Sequence, residues 1–124
     1  MKKFVKVFFL VFILIYAAAC SSPEGKKKSA IEEMEKTLFS GENIMLDRAK
    51  ANELITAYIS FADEFPDADE TPEFLFKAGD MSMNLKMPQK AIQVFDRVLK
   101  NYPDYEKAAQ CLFLKGYVYE NEIG

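Results

Sequence analysis

The 124-residue sequence has no histidine and no tryptophan. Histidine is the usual general base and the commonest metal ligand. Its absence removes Ser-His and Cys-His nucleophile systems and ordinary imidazole metal sites. Without tryptophan or an evident pocket, paired carboxylates working on a sugar are also disfavoured. Positive charge is also outnumbered by negative. The formal net charge is -3, and setting aside the three leader lysines Lys2, Lys3 and Lys6 leaves -6, which argues against nucleic acid as a partner. The apolar run from Val7 to Tyr16 falls short of the ~20 residues a membrane-spanning helix needs. Neither catalysis nor a cofactor, metal or small-molecule substrate is expected.

The start of the chain is present for a different purpose. Lys2, Lys3 and Lys6 form a positive leader, Val7 to Tyr16 an apolar segment, and Ala17, Ala18 and Ala19 lead directly to Cys20. This resembles the bacterial lipoprotein signal. The resemblance implies that residues 1–19 are removed and that Cys20 is lipidated as the new N-terminus. Ala17 stands where such signals usually carry leucine. Cleavage as an ordinary secreted protein and an uncleaved anchor are the alternatives. In known lipoproteins an Asp after the Cys favours the inner membrane; Ser21 stands there instead, so the outer membrane, facing the periplasm, is expected. Residues 20–28, with Pro23, Gly25 and Lys26 to Lys28, read as a flexible tether.

From Ser29 onward the pattern is helical. Ser29-x-x-Glu32 forms a capping box, followed by Ile31, Met34 and Leu38 at helical spacing, and Gly41 marks a stop. Asp47 caps a second helix with the stripe Ala51, Leu54, Ile55, Tyr58, Phe61, Ala62 and Phe65. Thr71 with Pro72 opens a third, Pro88 a fourth, and a fifth begins near Glu106. Phe65-Pro66-Asp67 recurs as Tyr102-Pro103-Asp104, 37 residues later. At the same offset Leu54 pairs with Ala91, Ile55 with Ile92, Tyr58 with Phe95, and Gly79 with Gly116. The chain therefore reads as a repeat protein: a degenerate copy over 29–66, a best copy over 72–105, and a partial copy or capping helix over 106–124.

The best copy carries Gly79, Ala91, Phe95 and Pro103 in register with the pattern W-x2-L-G-x2-Y…A-x3-F…P. It resembles a tetratricopeptide repeat, with Leu75 at the Trp place, Ala78 at the Leu place and Ser82 at the Tyr place. In the last copy Gly116 and Tyr119 keep the Gly-x2-Tyr spacing, Leu112 fills the Trp place, and Lys115 stands where Leu is expected. The long inter-repeat loops resemble those of periplasmic lipoproteins of the BamD kind and of Tol-associated repeat proteins. The fold implied is an all-α solenoid of antiparallel helix hairpins following the lipoprotein signal. The chain is either closed by its last helix or is a piece of a longer array.

In such repeats the first helix of each pair lines a concave groove. By that resemblance the groove residues are Glu73, Phe76, Asp80 and Met83, followed by Gln110, Phe113, Tyr117 and Glu120. Aromatics flanked by acids suit an extended or helical peptide with apolar and basic side chains. Phe76 and Phe113 have the alternative role of packing between helices. The run Asp67-x-Asp69-x-Thr71-x-Glu73 faintly resembles a calcium loop, but lacks its central glycine and contains Pro72, so a solvated loop is expected. Cys111, among Ala108, Leu112 and Leu114, reads as a small buried hydrophobe. The function expected is a membrane-anchored protein-interaction scaffold. The alternative is an accessory repeat module of an envelope enzyme or uptake system.

Overall fold

The computed structural model describes residues 2–6, 22–41 and 47–123. Cys20 and the apolar run before it lie outside these residues. Five α-helices follow one another: α1 (Pro23–Phe39), α2 (Arg48–Glu64), α3 (Thr71–Asn84), α4 (Pro88–Asn101) and α5 (Ala108–Val118). The last continues into a wider π-helical turn, Tyr119–Ile123. Residues 2–6 are helical and exposed, and no strand occurs among the described residues. No described helix is long and apolar enough to cross a membrane. Each of α1 to α5 packs on its neighbours in chain order. The result is an all-α solenoid of antiparallel hairpins, as the resemblance implied.

The 37-residue echo is visible in the backbone. After α2, Phe65 N–H donates to the Phe61 carbonyl, Ala68 N–H to Phe65, and Thr71 N–H to Ala68. After α4, Tyr102 N–H donates to Val98, Tyr105 N–H to Tyr102, and Ala108 N–H to Tyr105. The cap residues Phe65 (φ -127, ψ 61) and Tyr102 (φ -133, ψ 55) share one conformation. The proline following each of them prevents helix continuation, so the same sequence signal turns the chain the same way twice.

Within the best repeat the connection is tighter. Met87 N–H donates to Ser82 and Lys86 N–H to Met83, both at 2.9 Å, while Lys86 sits at φ 58. This is a Schellman cap with lysine in the left-handed position that glycine usually fills. Pro88 then opens α4, where its missing donor leaves no bond unmade. Arg48, from the start of α2, donates to the Leu85 carbonyl at 2.7 Å and ties the first hairpin to this turn.

The repeated positions form the core. Leu54, Ile55, Tyr58, Ala91, Ile92 and Phe95 are all buried. Burying a large apolar side chain stabilises by ~1.5–3 kcal/mol, so this register is strongly specified. Phe74 joins α3 to α2, its ring 4.9 Å from Phe61 at 87° and 5.3 Å from Tyr58. Gly79 lies against the Phe95 ring, so α3 and α4 approach closely.

Two local expectations are corrected. The first helix begins at Pro23, not Ser29: Ser22 Oγ accepts from Gly25 N–H at 3.0 Å. The segment 23–28 is therefore helical rather than a loose tether, and two of its lysines meet acids at the end of α2 and just after it. Lys27 pairs with Glu64 and Lys28 with Glu70. Thr71 is not a helix cap. It is fully buried, and its hydroxyl donates to the Phe65 carbonyl at 2.5 Å, pinning the turn after α2.

Candidate functional site

The first helices of the two hairpins, α1 and α3, each present a side away from their second-helix partners. Between α1 and α3 lies an open cavity of about 260 Å³ lined by Glu35, Phe39, Tyr58, Lys77, Asp80 and Met81. Its floor is held by one carboxylate. Glu35 Oε1 accepts from the Tyr58 hydroxyl at 2.6 Å and from Lys77 Nζ at 2.7 Å. Lys77 Nζ also stands 5.9 Å from the Tyr58 ring and 5.8 Å from the Phe74 ring. Burial, together with the bond to Glu35, raises the Tyr58 pKa well above the ordinary phenol value, so the hydroxyl remains a donor.

The rim differs from the floor. Phe39 is 64% exposed, and Asp80 is exposed with no ion pair among the described residues. A fixed polar floor beneath an accessible ring and a free carboxylate can accept an apolar side chain beside a cationic one.

A second face is formed by α5 alone. Phe113 is 69% exposed, Leu112 61% and Tyr117 48%, and with Ala109, Gly116 and Glu120 they line one shallow hollow. The opposite side of this helix is inward: Cys111 and Val118 are fully buried. Burial raises the Cys111 thiol pKa to about 11.

The expected groove residues thus divide. Asp80 belongs to the α1–α3 cavity, and Phe113, Tyr117 and Glu120 to the α5 face. Between them Phe76 is half-buried, its ring 6.4 Å from Phe95 and covered by Lys107 Nζ at 4.9 Å. Met83 is half-buried against the core, and Gln110 is exposed. Glu73 is taken up within the fold. It accepts from Lys107 Nζ at 2.8 and 3.1 Å and from the Tyr105 hydroxyl. Burial by itself would raise the Glu73 pKa, but these donors outweigh it and the net shift is downward. The expected groove residues fall in two hollows, and outside both of them Lys107, bound to Glu73, covers Phe76.

The signature residues also divide. Gly79, Ala91 and Phe95 are buried, and Pro103 follows α4. Gly116 faces open space, and Tyr119 lies half exposed in the π-helical turn with Lys115 Nζ 6.0 Å from its ring. In the acidic run that leads into α3, Thr71 is buried and Glu73 is bound to Lys107, so neither is free to hold a cation. No metal-holding group of His, Cys, Asp and Glu occurs among the described residues.

Sequence reasoning missed Glu35, Phe39 and Lys77. Eight residues separate α1 from α2 and three separate α3 from α4, so the 37-residue offset does not carry back into α1. The alternation of Glu35 and Phe39 one turn apart was the only available signal.

Residues 73–105 match the family model of the tetratricopeptide repeat. No curated protein and no solved structure gave a significant match. The matched segment coincides with α3, α4 and the turn after them. Stacked repeats of this type form extended concave surfaces for protein binding, so the chain carries a protein-interaction module.

Proposed function

We propose that this chain is a protein-interaction scaffold, lipid-anchored through Cys20 at the bacterial outer membrane and facing the periplasm. It holds a partner segment in the cavity between α1 and α3, in the service of outer-membrane protein assembly or envelope organisation. The observation that carries the binding role is the pairing of exposed Phe39 and unpaired Asp80 above the fixed Glu35–Lys77 floor, on a frame whose best repeat matches the tetratricopeptide model. The partner segment has an apolar side chain to meet Phe39 and a Lys or Arg to meet Asp80. The chain contributes no catalytic step of its own in this reading.

Support for the anchor comes from the leader lysines, the apolar segment and Ala17-Ala18-Ala19-Cys20. A Cys20→Ser protein is expected to move from the membrane fraction to the soluble periplasmic fraction. Unchanged membrane association, with the leader removed, contradicts the lipid anchor and leaves the cavity reading to be judged on its own test.

A further inference from the structure

The cavity between α1 and α3 has more hydrogen-bonding capacity than the fold uses. Both bonds to Glu35 fall on one oxygen: Oε1 accepts from the Tyr58 hydroxyl at 2.6 Å and from Lys77 Nζ at 2.7 Å. The other oxygen, Oε2, accepts nothing among the described residues. Asp80 lines the same cavity one turn after Lys77, and it too is unpaired among the described residues. Two carboxylates thus stand against the single cation Lys77, and the cavity carries an excess negative charge. Its two free acceptors come from different helices, Glu35 from α1 and Asp80 from α3.

This arrangement separates arginine from lysine. A lysine ammonium is a compact, strongly hydrated charge whose three donors surround one atom, so it serves one carboxylate at a time. On Oε2 it would stand beside Lys77, whose own ammonium already holds Oε1, and two concentrated like charges on one carboxylate repel. A guanidinium is planar, more weakly hydrated, and carries five donors along separate edges. One edge can meet Oε2 while another meets Asp80, and its delocalised charge lessens the conflict with Lys77.

The sequence also bears on where the arginine comes from. Its two arginines are both engaged, Arg48 on the Leu85 carbonyl at 2.7 Å and Arg97 on Asp63 at 2.6 Å. Residues 40–46, which follow Phe39 at the rim, contain neither arginine nor lysine. The arginine therefore belongs to a segment outside residues 1–124. A second copy of the chain would present lysines only.

We propose that Glu35 Oε2 and Asp80 together form an arginine-selective subsite, which takes the guanidinium of a partner segment in preference to a lysine ammonium. This rests on the α1–α3 cavity as the binding surface and names the side chain that it selects.

The probes are Nα-acetyl-arginine methylamide and Nα-acetyl-lysine methylamide, each titrated into the isotopically labelled full chain in a zwitterionic detergent, with binding read from amide resonances. The arginine probe should shift the resonances of Tyr58, Lys77 and Asp80 saturably, with an affinity about three- to tenfold above that of the lysine probe. Asp80→Asn and Glu35→Gln should each bring the two affinities together. Glutamine keeps an oxygen for Tyr58 and Lys77 while replacing the free one by a donor. Asp80→Asn, at an exposed position, leaves the floor untouched and decides the matter should Glu35→Gln lose helix by circular dichroism. Equal or tighter binding of the lysine probe at these resonances, or an arginine preference undiminished by Asp80→Asn, overturns the selectivity and leaves a cavity open to either cation. No shift at these resonances with either probe contradicts the cavity reading itself, and the subsite with it.

Discussion

Gly79 stands so close to the ring of Phe95 that a Cβ on it would lie 2.4 Å from a ring carbon, whereas a Cβ on Gly116 would meet nothing within 4 Å. The two glycines are 37 residues apart and occupy equivalent repeat places. Their surroundings separate them. Gly79→Leu is expected to cost ~1–3 kcal/mol through overpacking, since the ring is enclosed and has little room to yield. Gly116→Ala is expected to be neutral or to stabilise by up to ~1 kcal/mol, because alanine favours helix and meets no neighbour. Urea denaturation of both variants checks this pair. Equal responses would place the close helix contact elsewhere.

The single thiol within the described fold is expected to be inert. Cys111 is fully buried on the inward side of α5, and burial raises its pKa to about 11, so thiolate is scarce near neutrality. With Cys20 replaced by Ser, a thiol reagent at pH 8 should label the native chain only as fast as it unfolds. Labelling should become immediate in denaturant. Rapid labelling of the native chain would show α5 to be loosely attached to α4.

Acid should loosen the contact between the second hairpin and α5. Glu73 has a lowered pKa in the folded chain, because Lys107 and Tyr105 overcome the effect of its burial. The unfolded chain therefore takes up its proton first as pH falls. The resulting stability is present above the ordinary carboxylate range and is lost as pH falls through the lower folded value. Glu70, lowered by Lys28, acts in the same direction. Glu73→Gln should lower the thermal midpoint at pH 7 and differ less from the parent at pH 3. A constant difference at both pH values would contradict this role.

Much of the fold was legible because it is local and repeated. The pairs Phe65-Pro66 and Tyr102-Pro103 set two matching turns, and Leu54, Ile55 and Tyr58 echo buried residues of α4. What escaped the sequence depends on distant partners. The lysine run 26–28 has tether-like composition, yet Lys27 and Lys28 are held by Glu64 and Glu70. Thr71 carries the signature of a cap, but a carbonyl six residues earlier takes its hydroxyl. Phe76 and Glu73 were read as open groove residues, yet Lys107, unremarkable in the sequence, covers the one and binds the other. Phe39 and Glu35 were hidden because the spacing from α1 to α2 differs from that between α3 and α4 and breaks the repeat offset.

The cavity between α1 and α3 is the surface on which the proposed scaffold role rests, and photo-cross-linking in the native envelope tests it most directly. A photoreactive phenylalanine analogue replacing Phe39, at the cavity rim, is compared with one replacing Gln93, exposed on α4. The account predicts a discrete, heavier protein adduct from position 39 and none from position 93. It further predicts that Asp80→Asn in the same chain diminishes the adduct while the helical content is unchanged. No protein adduct from position 39, or equal adducts from both positions, would contradict it.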